Sequence, residues 1–364
     1  MTWNWQKTRW PRFTFDDQAL EELERKFALQ TGEIEGSIKH LKQQEKDDVV
    51  VHVLSREGVK TAEIEGEILN RASVQSSIRK KLGLSTRTTK VQAAEAGMAE
   101  VMVRVYNRYI HPLTHRELHQ WHSELLGNRD DLETIGAYRK HREPMQIVSG
   151  SPGKTIVHFE APPSEKVSPE MKYFLDWFNN SHKQIPPLTR AGIAHLYFIC
   201  IHPYEDGNGR IARALTEKAL SQGVGVPSLS GLAQEIASHK KAYYQALDRN
   251  NRQLEIDDWL QYFSKTVLQG QTSTLRAVER ILQKTRVFQN YGNRLNKRQM
   301  KVLEKLYEAE PDGFEGGLSA KNHLSITKTS RATATRDLQQ LVEWGILNRK
   351  GELRYARYFL PKLR

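Results

Sequence analysis

Residues 202–213 read His202-Pro-Tyr-Glu-Asp-Gly-Asn-Gly-Arg-Ile-Ala-Arg213. The run before it, RAGIAHLYFICI, is apolar nearly all round, which predicts a buried central helix. The run that overlaps and follows it, RIARALTEKAL, predicts a second helix. Gly207 and Gly209 flank Asn208 at that helix start, where small residues let backbone N–H groups converge on an anion. Arg210 and Arg213 lie three apart, on adjacent edges of one helical face, and can fork onto phosphate oxygens. Asp206 is a hard carboxylate at the mouth of the same site, suited to a Mg²⁺ that bridges phosphates. His202 precedes the loop and can take a proton from an attacking hydroxyl. Together these imply a polyphosphate, a metal, a base and a nucleophile from outside. Neither GxxxxGK[ST] nor a GxGxxG after a strand is present, so the common nucleotide-binding folds are not supported.

The surroundings are mostly helical. Asp16 and Asp17 can cap a helix running through residues 19–45, with Leu20, Leu23, Phe27, Ile34 and Ile38 as its apolar stripe. A second helical region over 49–70 is expected to break or loosen near Gly58, and a third ends near Gly83. Two amphipathic helices fill 92–128, separated at His111-Pro112. Two β-prone runs then flank Ser-Gly-Ser-Pro-Gly at 149–153, which predicts a hairpin. Ser168 and Pro169 are expected to open the next helix. From Asn296 come three helical patterns and a ribbon turning at Lys350-Gly351, the layout of a winged helix-turn-helix.

The 364-residue chain carries a formal net charge of +12, which suits polyanionic partners. From Arg294 onward, 15 Lys/Arg stand against 8 Asp/Glu, so more than half the excess lies in the last fifth. No apolar run approaches the roughly eighteen residues of a membrane span, and no signal peptide is evident, so a cytoplasmic location is expected. The single Cys200 excludes an internal disulfide and, within an apolar run, reads as core packing.

The 202–213 stretch resembles the Fic family motif, HPFx(D/E)GNGRxxR, with Tyr204 in place of Phe as the one departure. The N-terminal TWNW…WPRF segment, the central helices and the basic tail resemble one bacterial subgroup of that family. The resemblance implies a mainly α fold: a Fic-type helical core with a β-hairpin flap, an N-terminal helical region and a C-terminal winged helix-turn-helix. The expected boundaries are 1–90 for the N-terminal region with an inhibitory helix, 91–270 for the catalytic domain, 271–295 for a helical linker and 296–364 for the winged helix.

It further implies transfer of AMP from ATP to a Tyr, Ser or Thr hydroxyl of a target protein, with release of pyrophosphate. His202 is then the general base and Asp206 the Mg²⁺ ligand. Gly207, Asn208 and Gly209 cradle the α- and β-phosphates, with Arg210, Ile211, Ala212 and Arg213 continuing the phosphate-binding turn. Arg210 takes the β-phosphate side and Arg213 the γ-phosphate. The hairpin around Thr155, Ile156, Val157, His158 and Phe159 corresponds to the family flap, which receives an extended target segment by strand addition. Tyr243 and Asn251 fall where relatives contact the adenosine, with Tyr244 and Asn250 as alternatives. His158 is open to a role with target or nucleotide. Self-modification and a homodimer are also in keeping with the family.

The family's inhibitory motif is (S/T)xxxE(G/N), whose Glu pairs with the second loop arginine. Two hexapeptides fit it: TGEIEG at 31–36 and TAEIEG at 61–66. The second sits in a context resembling the subgroup's inhibitory helix, so Thr61, Glu65 and Gly66 take the role. Glu35 then reads as a solvated helix residue. His115, His119 and His122 share a helical spacing without HExxH and read as ordinary side chains rather than a metal cluster. His195 reads as core, and the Trp residues as packing anchors. In the tail, Arg331, Thr333 and Arg336 can face a major groove, with Arg349, Lys350, Arg354 and Arg357 on phosphates. Protein docking or oligomerisation is the equal alternative there. Three other readings remain: a nucleotide-sensing DNA-binding regulator, a different nucleotide donor, and removal of AMP from a target.

Overall fold

A computed structural model describes residues 2–85, 91–150, 154–308 and 316–363. The flap turn expected at 151–153 and the side chain of Arg354 lie outside the described residues. The described elements, in order, are α1 (Glu21–Lys39), α2 (Gln43–Ile64), α3 (Arg71–Lys81), α4 (Ala93–Arg108), α5 (His115–Leu126), β1 (Gln146–Ser149), β2 (Ile156–Glu160), α6 (Ser164–Asn180), α7 (Pro187–Ile201), α8 (Asn208–Val224), α9 (Leu232–Ser238), α10 (Lys240–Asn250), α11 (Asp257–Tyr291), α12 (Lys297–Glu308), α13 (Ala320–Thr327), α14 (Arg331–Glu343), β3 (Asn348–Lys350) and β4 (Arg357–Phe359). The described residues are therefore mainly α, with two small antiparallel two-stranded sheets among them. None of the described helices is long and apolar enough to cross a membrane.

The chain divides into two compact units. One comprises Met1–Glu33 and Val50–Thr272, the other Ile34–Val49 and Ser273–Arg364. The residues expected as a linker, 271–295, largely belong to the single helix α11.

In the larger unit, α7 is the central rod. Every residue from Leu188 to Ile201 is buried, as its all-round apolar sequence demands. It packs along α8. Cys200 is buried within it and accepts a hydrogen bond from Asn4 Nδ2 at 3.1 Å. Burial pushes its thiol up to about 12, so it is inert packing, as expected. The N-terminal tryptophans act as anchors: Trp3 meets Phe159 edge to face and Trp5 Nε1 donates to the Glu160 carbonyl at 2.7 Å.

Three local expectations are corrected. The helix expected over 19–45 is interrupted at 40–42, where Glu45 accepts from the Lys42 N–H at 2.9 Å and starts α2 afresh. α2 runs unbroken through Gly58. A Cβ there would stand 3.0 Å from Met98 Cγ, so the glycine serves close packing of α4 and does not end the helix. α6 begins at Ser164, with Pro169 inside it. Ser164 Oγ donates to the His141 carbonyl at 2.7 Å and accepts from Arg139 at 3.0 Å, which fixes the earlier start.

In the smaller unit, α12, α13 and α14 enclose a core that includes Val302, Leu306, Leu338 and Leu341. Left-handed Lys328 and the cap residue Ser330 make the turn between α13 and α14. Asp337 points inward and takes Arg298 at 2.8 Å and Asn296 at 3.0 Å. β3 pairs with β4 and ends at Lys350, with Gly351 in the left-handed region.

Candidate functional site

The site forms where α7 ends. His202 adopts φ 50°, ψ 60°, a left-handed conformation rare for a residue with a Cβ. The chain turns through Pro203–Gly207, and α8 starts at Asn208 after Gly207 at φ 80°. Asn208 closes the turn on itself: its Oδ1 accepts from Tyr204 N at 3.0 Å and its Nδ2 donates to Tyr204 O at 2.8 Å. The Tyr204 ring is buried and stacks on His122 at 4.2 Å, and its hydroxyl meets His119 Nδ1 at 3.1 Å. The extra oxygen of Tyr over Phe thus has a partner.

His202 Nδ1 lies 3.3 Å from the Ile199 carbonyl. A carbonyl only accepts, so the proton sits on Nδ1 and Nε2 keeps its lone pair. Burial, and then the Arg139 charge, hold the imidazole down to about 4 against the opposing pull of the Ile199 carbonyl, Glu65 and Asp206. His202 is accordingly neutral near physiological pH.

A cavity of about 630 Å³ opens beside this loop. His202, Asp206, Gly207, Asn208, Gly209, Tyr243, Asn251, His158, Phe159 and Glu65 all contribute to its wall. Tyr243 offers its ring, because its hydroxyl is used by His195 Nε2 at 2.8 Å. His195 in turn meets Thr216 Oγ1 at 3.0 Å and is a satisfied core residue. Asn251 Nδ2 donates to the His158 carbonyl at 2.9 Å and ties β2 to the end of α10. Ile211 and Ala212 are fully buried under the loop, so their side chains do not reach the cavity.

The flap strands pair with Ser149 opposite Ile156 and Ile147 opposite Phe159, with an irregularity between Ile147 and Val148. Thr155 precedes β2 and is exposed. Ile156 and Val157 show exposed apolar side chains, while Phe159 is buried.

Both loop arginines are held by carboxylates from the end of α2. Arg213 Nη2 donates to Glu65 Oε1 at 2.7 Å and to the Thr61 carbonyl at 3.0 Å, and Arg213 Nε bonds Thr61 Oγ1. Burial would lower the Arg213 pKa, but Glu65 together with Tyr243 and Tyr244 outweighs it and the pKa is raised. Glu65 reaches this position over Gly209, where a Cβ would stand 2.3 Å from its Oε1. Glu67, which sequence reasoning missed, pairs with Arg210 at 2.8 Å. The signal for it was available: Gly66 at φ 83° reverses the chain, so acidic residues on either side of it can face one way. Among the described residues, Arg213 Nη1 and Arg210 Nε have no hydrogen-bond partner, which leaves two buried donors unsatisfied beside the loop.

Asp206 lines the cavity and lies 3.1 Å from Arg129 and 3.3 Å from Arg210. Among the described residues, no three His, Cys, Asp or Glu side chains converge as a metal cage. One carboxylate fits Mg²⁺ when phosphate oxygens and water complete the octahedron, and not otherwise. His115 and His119 meet the hydroxyls of Tyr138 and Tyr204 rather than a common point.

In comparison with known proteins, residues 112–220 match the Fic/DOC family, so the chain carries a Fic domain over that stretch. Residues 3–84 match a domain of unknown function, DUF4172. Among relatives, the protein adenylyltransferase fic-1 of Caenorhabditis elegans is 29% identical over 161 residues, 43% of this chain and 29% of the relative. The protein adenylyltransferase Fic of Culex quinquefasciatus is 26% identical over 66% of this chain and 43% of the relative. The chain thus spans less than half the length of these curated relatives. A Fic family protein from Desulfovibrio desulfuricans G20 superposes over 97% of this chain and 99% of its own, with a TM-score of 0.53 at 19% identity. Fic-1 from C. elegans (residues 134–508) superposes over 72% of this chain and 74% of its own, with a TM-score of 0.52 at 21% identity. These two share the fold.

Proposed function

We propose that the protein is an autoinhibited protein adenylyltransferase. It takes ATP and joins AMP to a Tyr, Ser or Thr hydroxyl of a target protein, or of itself. The hydroxyl oxygen bonds to the α-phosphorus, the bond to the β-phosphate oxygen breaks, and pyrophosphate leaves. His202 Nε2 receives the hydroxyl proton. Backbone N–H groups of the Gly207–Gly209 turn and the two arginines bind the phosphates and orient them for in-line attack. Asp206 would hold a Mg²⁺, which when bound would supply charge neutralisation on the phosphate oxygens. An exposed edge of the β1–β2 hairpin receives the target as an added strand.

The carrying observation is that Glu65, which lines the same cavity as His202 with its proton-free Nε2, reaches from that wall to occupy the buried Arg213. With Glu65 in place, the γ-phosphate has no seat and the α-phosphorus is misaligned. The test uses wild type, Glu65→Gly, and Glu65→Gly with His202→Ala, each given Mg²⁺ and ATP labelled at the α-phosphate. Label should be strong in the single variant, weak in wild type and absent in the double. ATP bound tightly with no label in any form would favour another donor or a nucleotide sensor. Release of AMP from a pre-modified target would identify the reverse reaction.

A second reading concerns the smaller unit, and α14 favours it. Arg331, Ala332, Thr335, Arg336 and Gln339 are exposed along one helix, and Arg349 and Lys350 are exposed on β3. We infer a winged helix-turn-helix that places α14 in a DNA major groove and β3 on phosphates. Salt-dependent binding of the full chain to duplex DNA, weakened by Arg336→Ala, tests it.

A further inference from the structure

Arg139 lies in the connection between α5 and β1 and is only 2% exposed. Its Nε donates to the His202 carbonyl at 2.8 Å. Its Nη2 donates to the Pro162 carbonyl at 2.5 Å and reaches the Ile201 carbonyl at 3.5 Å. Its Nη1 donates to Ser164 Oγ at 3.0 Å, and its own backbone N–H donates to the Pro203 carbonyl at 3.0 Å. Among the described residues its hydrogen-bond acceptors are all neutral, and Glu165 acts on it only through its charge, without an ion-pair contact. A buried cation with no directly paired carboxylate is costly, and burial pushes its pKa down to about 10 against the opposing charge of Glu165. A fold keeps such a group where a neutral one would not serve.

Its contacts join two places. One is the left-handed His202, which leaves α7 against its steric preference. The other is the Pro162–Ser164 turn that carries β2 of the flap into α6. A planar fork can span both at once; an ammonium cannot.

We propose that Arg139 is a positioning residue for His202: one guanidinium anchors both the backbone of the base and the turn that sets the flap, so proton acceptor and target strand share a fixed point. This rests on the reading of His202 as the base. The charge has a second effect. Among the described residues, the charges that act most on His202 are Arg139, Glu65 just beyond α2 and Asp206 from the loop, with the Ile199 carbonyl on Nδ1, while Glu205, Lys241 and Asp248 line the same cavity. Arg139 is the one cation among the charges that act most, and it favours the neutral imidazole.

The experiment uses Arg139→Gln and Arg139→Lys in the full chain carrying Glu65→Gly. Three quantities are read: affinity for a non-hydrolysable ATP analogue, the pH profile of labelled-AMP transfer, and the His202 titration by NMR of ¹³C-histidine, assigned with His202→Ala. For Arg139→Gln, transfer should fall by about tenfold or more with nucleotide affinity unchanged, as expected of a misplaced base. Its His202 titration and the acid limb of the rate should both move up toward the ordinary imidazole range. Arg139→Lys should lose rate but keep the His202 titration near the parent.

Equal loss of rate and nucleotide affinity at every pH would overturn the proposal, as would two variants indistinguishable from the parent. If Arg139→Gln does not fold, the lysine variant decides: reduced transfer at unchanged affinity supports the proposal, and unchanged transfer overturns it. If even the Glu65→Gly parent transfers no label, the adenylyltransferase reading fails separately. The NMR titration then decides for Arg139, and an unmoved His202 overturns it.

Discussion

TGEIEG at 31–36 and TAEIEG at 61–66 differ at one letter and sit in different worlds. The first lies inside α1. Thr31 is buried and accepts from Gln271 Nε2 at 2.8 Å, while Glu35 is exposed. Gly36 lies in the last turn of α1, with open space where a Cβ would stand. The second lies at the end of α2. Gly66 turns left-handed, and the chain crosses to Asn70, which caps α3 by accepting from Ser73 N at 3.0 Å. That reversal leaves Glu65 on Arg213 and Glu67 on Arg210. The difference teaches that the motif consists of a helix end as much as of its letters.

The largest expected effect breaks the symmetry between the copies. Glu65→Gly should raise AMP transfer on the order of ten- to hundredfold, since a hydrogen bond to a charged group contributes about 1.5–3 kcal/mol. Glu35→Gly, read in the same assay, should leave transfer unchanged. Next come the glycines. Gly66→Ala forces a Cβ into the left-handed region and should destabilise the fold by about 1–2 kcal/mol in denaturant titration. Gly36→Ala, in the last turn of α1 with free space, should stabilise it by at most about 0.5 kcal/mol.

Glu67→Gln is smaller. The Glu67 carboxylate is 36% exposed, so water screens the pair and transfer should rise only about two- to fivefold. The last is a slope. Glu57 lies on α2 eight residues before Glu65 and accepts from Ala233 N at 2.8 Å. Burial raises its pKa, as does Glu217, despite Arg56 and the backbone donors. The folded state therefore holds this proton at pH values where the unfolded chain has released it. Stability is fully present below the ordinary carboxylate pKa and declines as pH rises toward neutrality. Glu57→Gln should flatten that decline in melts taken across the same pH range.

Much of the site was legible because its parts are contiguous. The His202–Arg213 run encodes a helix end, a turn and a helix start in twelve residues, and local chemistry reads it. The buried α7 was equally plain from its all-round apolar sequence. Arg139 was not legible: its partners are backbone carbonyls, which no side-chain pattern announces. Glu67 escaped because a regular expression stops at Gly66. Gly58 misled because a glycine in a helical pattern signals a break and close packing alike, and only the position of Met98 distinguishes them. Pro169 misled because tertiary contacts of Ser164 outweighed a local start signal.

Glu65 and Arg213 stand 148 residues apart in one chain. On the proposed reading, closure of that pair is a first-order event with a fixed effective concentration. The protein's own abundance then drops out of its regulation. The fraction of unblocked molecules is the same in a dilute solution as in a crowded one, and dilution in an assay does not awaken the enzyme. Only competition by nucleotide, or a displacement of the last turn of α2, shifts the balance.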